Sequence, residues 1–180
     1  MNAALNARIS HPKLKPSIQQ SIEWLKSATT GKYNFPYSTT RGEFKETESK
    51  HTMRAAGTST LQAFGEGDFP ELQNDLKEIA YSDILNLRWQ DPIKECLYGW
   101  YYATQAMYNL GGKPWASWHG RIQPMLVRAQ NKEGYWQYPG AYHGGNVGDE
   151  TTQKVYATAF CVLMLSTPYR YAKPTKLFQE

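Results

Sequence analysis

The stretch Leu126-Val127-Arg128-Ala129-Gln130-Asn131-Lys132-Glu133-Gly134-Tyr135-Trp136 (LVRAQNKEGYW) decides how this chain is read. An apolar helical turn gives way to polar residues, and a glycine is followed at once by two aromatic rings. Glycine lacks a Cβ, so it enters the left-handed conformation that closes many helices at little steric cost. The spacing predicts a helix that runs out at Gly134, with Gln130 bonding main-chain groups across the turn. The ring of Trp136 then folds back over the helix end. Leu126, Gln130, Gly134 and Trp136 thus read as a staple at the corner of a helical hairpin.

Outward from this corner the chain alternates two kinds of helix. The helix that ends in the motif begins near Lys113-Pro114 and reaches Gln130. After it comes a glycine-rich loop, Tyr138 to Gly148, and then a nearly all-apolar helix, Val155 to Leu165, stopped by Pro168. Ile93 to Leu110 is apolar and aromatic almost all round and ends at Gly111-Gly112, as an interior helix would. Leu72, Leu76, Ile79 and Ile84 form the stripe of a peripheral helix opened by Pro70, and Thr52 to Phe64 is a small-residue helix broken by Gly65-Glu66-Gly67. Ile18, Ile22, Trp24 and Leu25 give a first helical face that stops before Thr30-Gly31, and Tyr37 to Lys50 is a loop. The order is outer, inner, outer, inner, outer, inner.

Internal repetition supports that order. Thr58, Thr104 and Thr158 hold equivalent places in GTSTLQAF, ATQAMYNL and ATAFCVLM, at a period of about fifty residues that suits an array of helical hairpins. The corner repeats as well: Trp24-Leu25-x-x-Ala28 with Gly31-x-Tyr33-x-Phe35-Pro36 echoes Met125-Leu126-x-x-Ala129 with Gly134-x-Trp136-x-Tyr138-Pro139.

The pattern Leu126-x3-Gln130-x3-Gly134-x-Trp136 resembles the QW motif of squalene and terpenoid cyclases and the related repeats of protein prenyltransferase β subunits. Tyr156-Ala157-Thr158-Ala159 resembles the inner helix that follows such a motif, and the likeness runs from about Ile93 to Tyr171. The resemblance implies an all-α fold, an α/α-toroid arc of about three hairpins with inner helices ringed by outer ones. Residues 1–180 then form a single repeat domain, either complete or a fragment such as a half-toroid. Fold alone does not carry an activity.

Composition narrows the function classes. With 180 residues and 41% hydrophobic content the chain fills one ordinary core, and 14% aromatic residues exceed what a generic core uses. The net charge of +4 is scattered rather than gathered into a basic arm, which argues against a nucleic-acid partner. No run of eighteen apolar residues suggests a membrane span, and Met1 to Pro16 lacks an apolar signal-peptide core. A cytoplasmic placement is the expectation, with a signal or anchor on a longer parent left open.

The chemistry expected of the resembled families is hard to find. A cyclase of the squalene-hopene kind protonates its substrate from an Asp-x-Asp-Asp cluster, and no such cluster occurs. A prenyltransferase holds zinc through Asp, Cys and His, but Cys96 and Cys161 lie inside apolar helices without that spacing. No metal site and no cofactor is expected. His143 in Tyr142-His143-Gly144-Gly145, near Asp149, is the one pair that suggests acid–base work; a loop histidine and a helix cap account for the two more simply.

An aromatic surface remains. Tyr98, Trp100, Tyr101, Tyr102 and Tyr108 on one inner helix are the candidate lining for an apolar, isoprenoid-like ligand, set against the plainer reading that each ring fills the gap between hairpins. The leading expectation is a non-catalytic or cryptic toroid-repeat domain that binds an apolar ligand or a protein partner. The alternative is an enzyme of the cyclase or prenyl-transfer class with unidentified catalytic residues. Three hairpins leave an open edge, so a homodimer or a place within a longer chain is expected.

Overall fold

The computed structural model describes residues 10–29, 35, 38–40, 43–45, 50–81, 87–90, 96–137 and 149–170. These form six helices: α1 (Leu14–Ser27), α2 (Lys50–Ala63), α3 (Leu72–Tyr81), α4 (Cys96–Leu110), α5 (Gly112–Ala129) and α6 (Glu150–Arg170). A short antiparallel ribbon, β1 (Ser38–Thr40) with β2 (Glu43–Lys45), pairs Thr39 with Phe44 between α1 and α2. The fold is all-α and built from helical hairpins. Helix α4 packs against α2 on one side and α6 on the other, and the outer helices α3 and α5 touch each other behind it. The inner row is therefore α2, α4, α6, in the order that the threonine repeat sets.

Periodicity explains which faces are buried. Ile18 and Ile22 lie four residues apart on one face of α1 and are buried, whereas Trp24 is 58% exposed. Two residues on from Ile22, Trp24 points to the opposite side, so it does not belong to the buried face the sequence suggests. On α4, Leu97, Trp100, Thr104 and Met107 follow helical spacing and are buried under the outer layer. The connection from α4 to α5 is a single residue. Gly111 and Gly112 both have positive φ, 71° and 55°, and this pair lets the chain reverse between an inner and an outer helix without a loop.

Several boundaries differ from the sequence reading: the expected loop Tyr37 to Lys50 contains the β1–β2 ribbon and the first residue of α2, and α6 starts at Glu150, ahead of Val155. Helix α6 continues through Pro168 to Arg170. A proline this close to the end removes only one helical hydrogen bond, and the Thr167 and Ser166 hydroxyls bond back to the Leu163 carbonyl at 3.0 and 3.2 Å. Helix α5 ends at Ala129, one residue short of the expected Gln130, which is already extended at φ −66°, ψ 132°. Gly134, at φ 91°, closes the turn that follows: its N–H donates to the Asn131 carbonyl at 3.0 Å, and Asn131 Oδ1 accepts from Glu133 and Tyr135 main-chain N–H groups. The glycine is needed for a left-handed position, one turn later than the helix end.

Thr58, Thr104 and Thr158 fall on α2, α4 and α6, each preceded by a small buried residue, Gly57, Ala103 or Ala157. Thr104 is fully buried, and its Oγ1 accepts the indole N–H of Trp118 from α5 at 3.0 Å while donating to the Trp100 carbonyl. Thr158 Oγ1 accepts the main-chain N–H of Trp136 at 3.1 Å. In the first hairpin Phe35 stands over Gly57, where an added Cβ would lie 2.2 Å from its ring, and Thr58 Oγ1 is buried without a hydrogen-bond partner among the described residues. Tyr33, the expected counterpart of Trp136, lies outside the described residues; Phe35, seven residues after Ala28 as Trp136 is after Ala129, fills that corner.

A pair of substitutions tests this register. Thr104→Val leaves the buried Trp118 indole N–H unsatisfied and is expected to cost about 1–3 kcal/mol in chemical denaturation, whereas Thr58→Val removes an unpartnered hydroxyl and is expected to be neutral or stabilising. Equal losses at the two sites would contradict the assignment.

Candidate functional site

The corner motif folds as a closed circuit. The Trp136 indole N–H donates to the Leu126 carbonyl at 2.8 Å, Gln130 Nε2 donates to the Gly134 carbonyl at 2.8 Å, and Leu126 and Trp136 are both buried. Through Trp136 N and Thr158 Oγ1 the corner also fixes the entry of α6. These four residues are structural: they set where the inner helices stand and so which side chains reach the inner face.

The five candidate lining rings divide among three places. Tyr98, Tyr101 and Tyr102, spaced i, i+3, i+4, share one half-buried face of α4 and meet α6. Tyr101 and Tyr98 approach Phe160 edge-on at 5.5 and 6.2 Å between ring centroids, Tyr156 adds a tilted contact to Phe160 at 4.8 Å, and Tyr98 and Tyr102 meet edge-on at 4.9 Å. Trp100 points the other way, fully buried and 6.2 Å from Trp89. Tyr108 sits at the far end of α4 against Trp115, whose other neighbour is the His119 ring at 4.7 Å. A helix that is aromatic all round cannot turn all its rings to one side; residues two apart diverge, which separates Trp100 from Tyr98 and Tyr102.

Burial, then the hydroxyl contact with Tyr98 at 3.5 Å, push the Tyr102 phenol above its ordinary range, so it stays protonated at neutral pH. Half-buried rings with a polar edge suit an apolar or planar surface laid across them. Burial also raises the Cys161 thiol, which leaves it poorly suited as a nucleophile, and lowers His119.

Asp149 is a helix cap. Its Oδ1 accepts the main-chain N–H of Thr152 at 2.9 Å and the Thr152 hydroxyl at 3.1 Å. His143, its suggested partner, lies outside the described residues, as do Tyr138 to Gly148. Among the described residues no three His, Cys, Asp or Glu side chains gather as a metal ion would require, and no helix is long and apolar enough to cross a membrane.

Sequence reasoning missed two features. Tyr156 and Phe160 complete the tyrosine face from α6, and their i, i+4 spacing in VYATAF was the available signal. Arg54 on α2 reaches Asp75, buried on α3, at 3.5 Å, and also bonds Glu78, which ties inner to outer layer; residues over twenty positions apart give no local pattern to detect. No protein family, curated protein or solved structure matches this chain.

The cap has a pH signature. The Thr152 main-chain N–H, then its hydroxyl, hold the Asp149 carboxyl below the ordinary aspartate value of 3.8. A depressed folded-state pKa means the stabilisation is complete above the ordinary value and is lost as pH falls through the lowered one. In an NMR titration the Thr152 amide is expected to shift with a midpoint below 3.8 as the start of α6 frays. A midpoint at or above that value would mean the cap is not formed.

Proposed function

We propose that this chain is a non-catalytic helical-hairpin repeat module, an arc of an α/α toroid, that works by binding across its inner row. Its protein partner is a second copy, and the part of the tyrosine face that α6 leaves half-exposed is the surface offered to an apolar ligand. The likeness of the corner motif to cyclase and prenyltransferase repeats supports the arc. The reading favours binding over catalysis because Asp149 is occupied as a cap and the Cys161 thiol is held protonated.

One observation carries the partner. In the register set by Thr104 and Thr158, Tyr101 and Gln105 of α4 correspond to Val155 and Ala159 of α6. Tyr101 packs on Phe160, and Gln105 Nε2 donates to Thr167 Oγ1 at 3.2 Å, so this face of α4 is the one that receives the next inner helix. On α6 the same face is uncovered. Val155 is 64% exposed, Val162 47% and Tyr169 84%, with Ala159 exposed between them. The spacing 155, 159, 162, 166, 169 makes one seam without a charged residue, suited to packing another helix. About a twofold axis near Val162, Val155 would lie opposite Tyr169 and Ala159 opposite Ser166, small against large or small against small.

Light scattering on the 180-residue chain at micromolar concentration tests this. The expected result is a dimer that becomes a monomer in Val155→Glu/Val162→Glu, with helical circular dichroism unchanged because both residues are exposed. A monomeric parent, or a dimer that survives both substitutions, would sink the proposal.

A further inference from the structure

Residues 87–90 and the second half of α5 line an open cleft of about 500 Å³ that shares no lining residue with the tyrosine face or the α6 seam. Its walls combine three arginines, Arg88, Arg121 and Arg128, with Leu87, Trp89 and Met125. Arg121, Met125 and Arg128 follow i, i+4, i+7 along one stripe of α5, so the arrangement is fixed by the helix. Arg121 is further held by its Nη2 bond to the Ala80 carbonyl at the end of α3, 3.2 Å, and by the Trp118 ring, 5.7 Å from its guanidinium carbon. Arg88 and Arg128 are exposed, and neither has a carboxylate partner among the described residues.

Arg88 and Arg128 bring two like charges to one apolar-walled space, and no described carboxylate offsets these two. A bound anion would. Guanidinium forks match the oxygens of a phosphate two at a time, and the Trp89, Leu87 and Met125 wall gives an apolar body somewhere to lie. The volume falls within the range of about 300–1,000 Å³ usual for small-ligand sites. A nucleic-acid strand would call for basic residues along a track, whereas these are gathered in one cleft. We propose that the cleft binds a small organic phosphate, a phosphate monoester on a compact apolar or planar body, with Arg88 and Arg128 closing on the phosphate and Arg121 as the fixed third contact.

Isothermal titration of the full chain at low ionic strength decides it, with 1-naphthyl phosphate as probe and 1-naphthol, inorganic phosphate and a short oligouridylate as comparisons. The expected result is one naphthyl phosphate per chain, bound more tightly than inorganic phosphate, with no measurable 1-naphthol binding. Arg88→Gln/Arg128→Gln should weaken it by about tenfold or more, the loss expected when charge-assisted bonds go, and leave the thermal midpoint unchanged because both residues are exposed. Equal affinity for naphthyl phosphate in the double variant, or none in the parent, would overturn the site. Inorganic phosphate binding as tightly would remove the apolar body from the assignment, and preference for oligouridylate would replace the small ligand with a polyanion.

Discussion

The bond from the Trp118 indole to Thr104 is the contact on which the arrangement depends. Both partners are buried, so either group without the other would carry an unsatisfied polar atom into the core. Thr104 stands at the middle of α4, which among the described helices has an inner neighbour on each side, and Trp118 stands near the middle of the outer helix that follows. Satisfying that bond fixes the depth of α5 relative to α4. The one-residue turn at Gly111 fixes its direction, and the corner at Trp136 then delivers α6 against the other side of α4.

Each hairpin meets the same problem with different residues. In the third hairpin the corner aromatic is a tryptophan whose indole N–H reaches Leu126 and whose main-chain N–H reaches Thr158. In the first hairpin Phe35 has no ring donor, presses against Gly57 where no Cβ fits, and adopts a positive φ of 56° that costs a non-glycine residue some strain. Thr58 is buried there without a partner among the described residues. Among the described residues the first corner therefore lacks the ring donor and the threonine bond of the third, and keeps a main-chain bond from the Phe35 N–H to the Ala28 carbonyl at 3.4 Å.

The fold was legible where local spacing carries it. Small residues before Thr58, Thr104 and Thr158, the Gly111-Gly112 break and the Leu126 to Trp136 corner are short-range patterns, and each sits where the sequence places it. What was not legible depends on direction or distance. Pro168 reads as a stop, yet near a helix end one lost bond is tolerable; Gly134 reads as a helix terminator, yet it closes the next turn. The five aromatic candidates on α4 could not all share a face, and separating Tyr98, Tyr101 and Tyr102 from Trp100 required the angle at which α6 approaches. Arg88 and Arg121 are far apart in the chain, so their cleft left no motif to read.

Hydrogen exchange at the indole N–H groups tests the central claim most directly, because it reads the register bonds themselves. If Thr104 holds α5 on α4 and the Leu126 carbonyl holds the following corner closed, the indole protons of Trp118 and Trp136 exchange as slowly as the most protected amides of α4. The indole of Trp24, more than half exposed, exchanges quickly in the same sample. Trp118 and Trp136 exchanging at the rate of Trp24 would contradict the account.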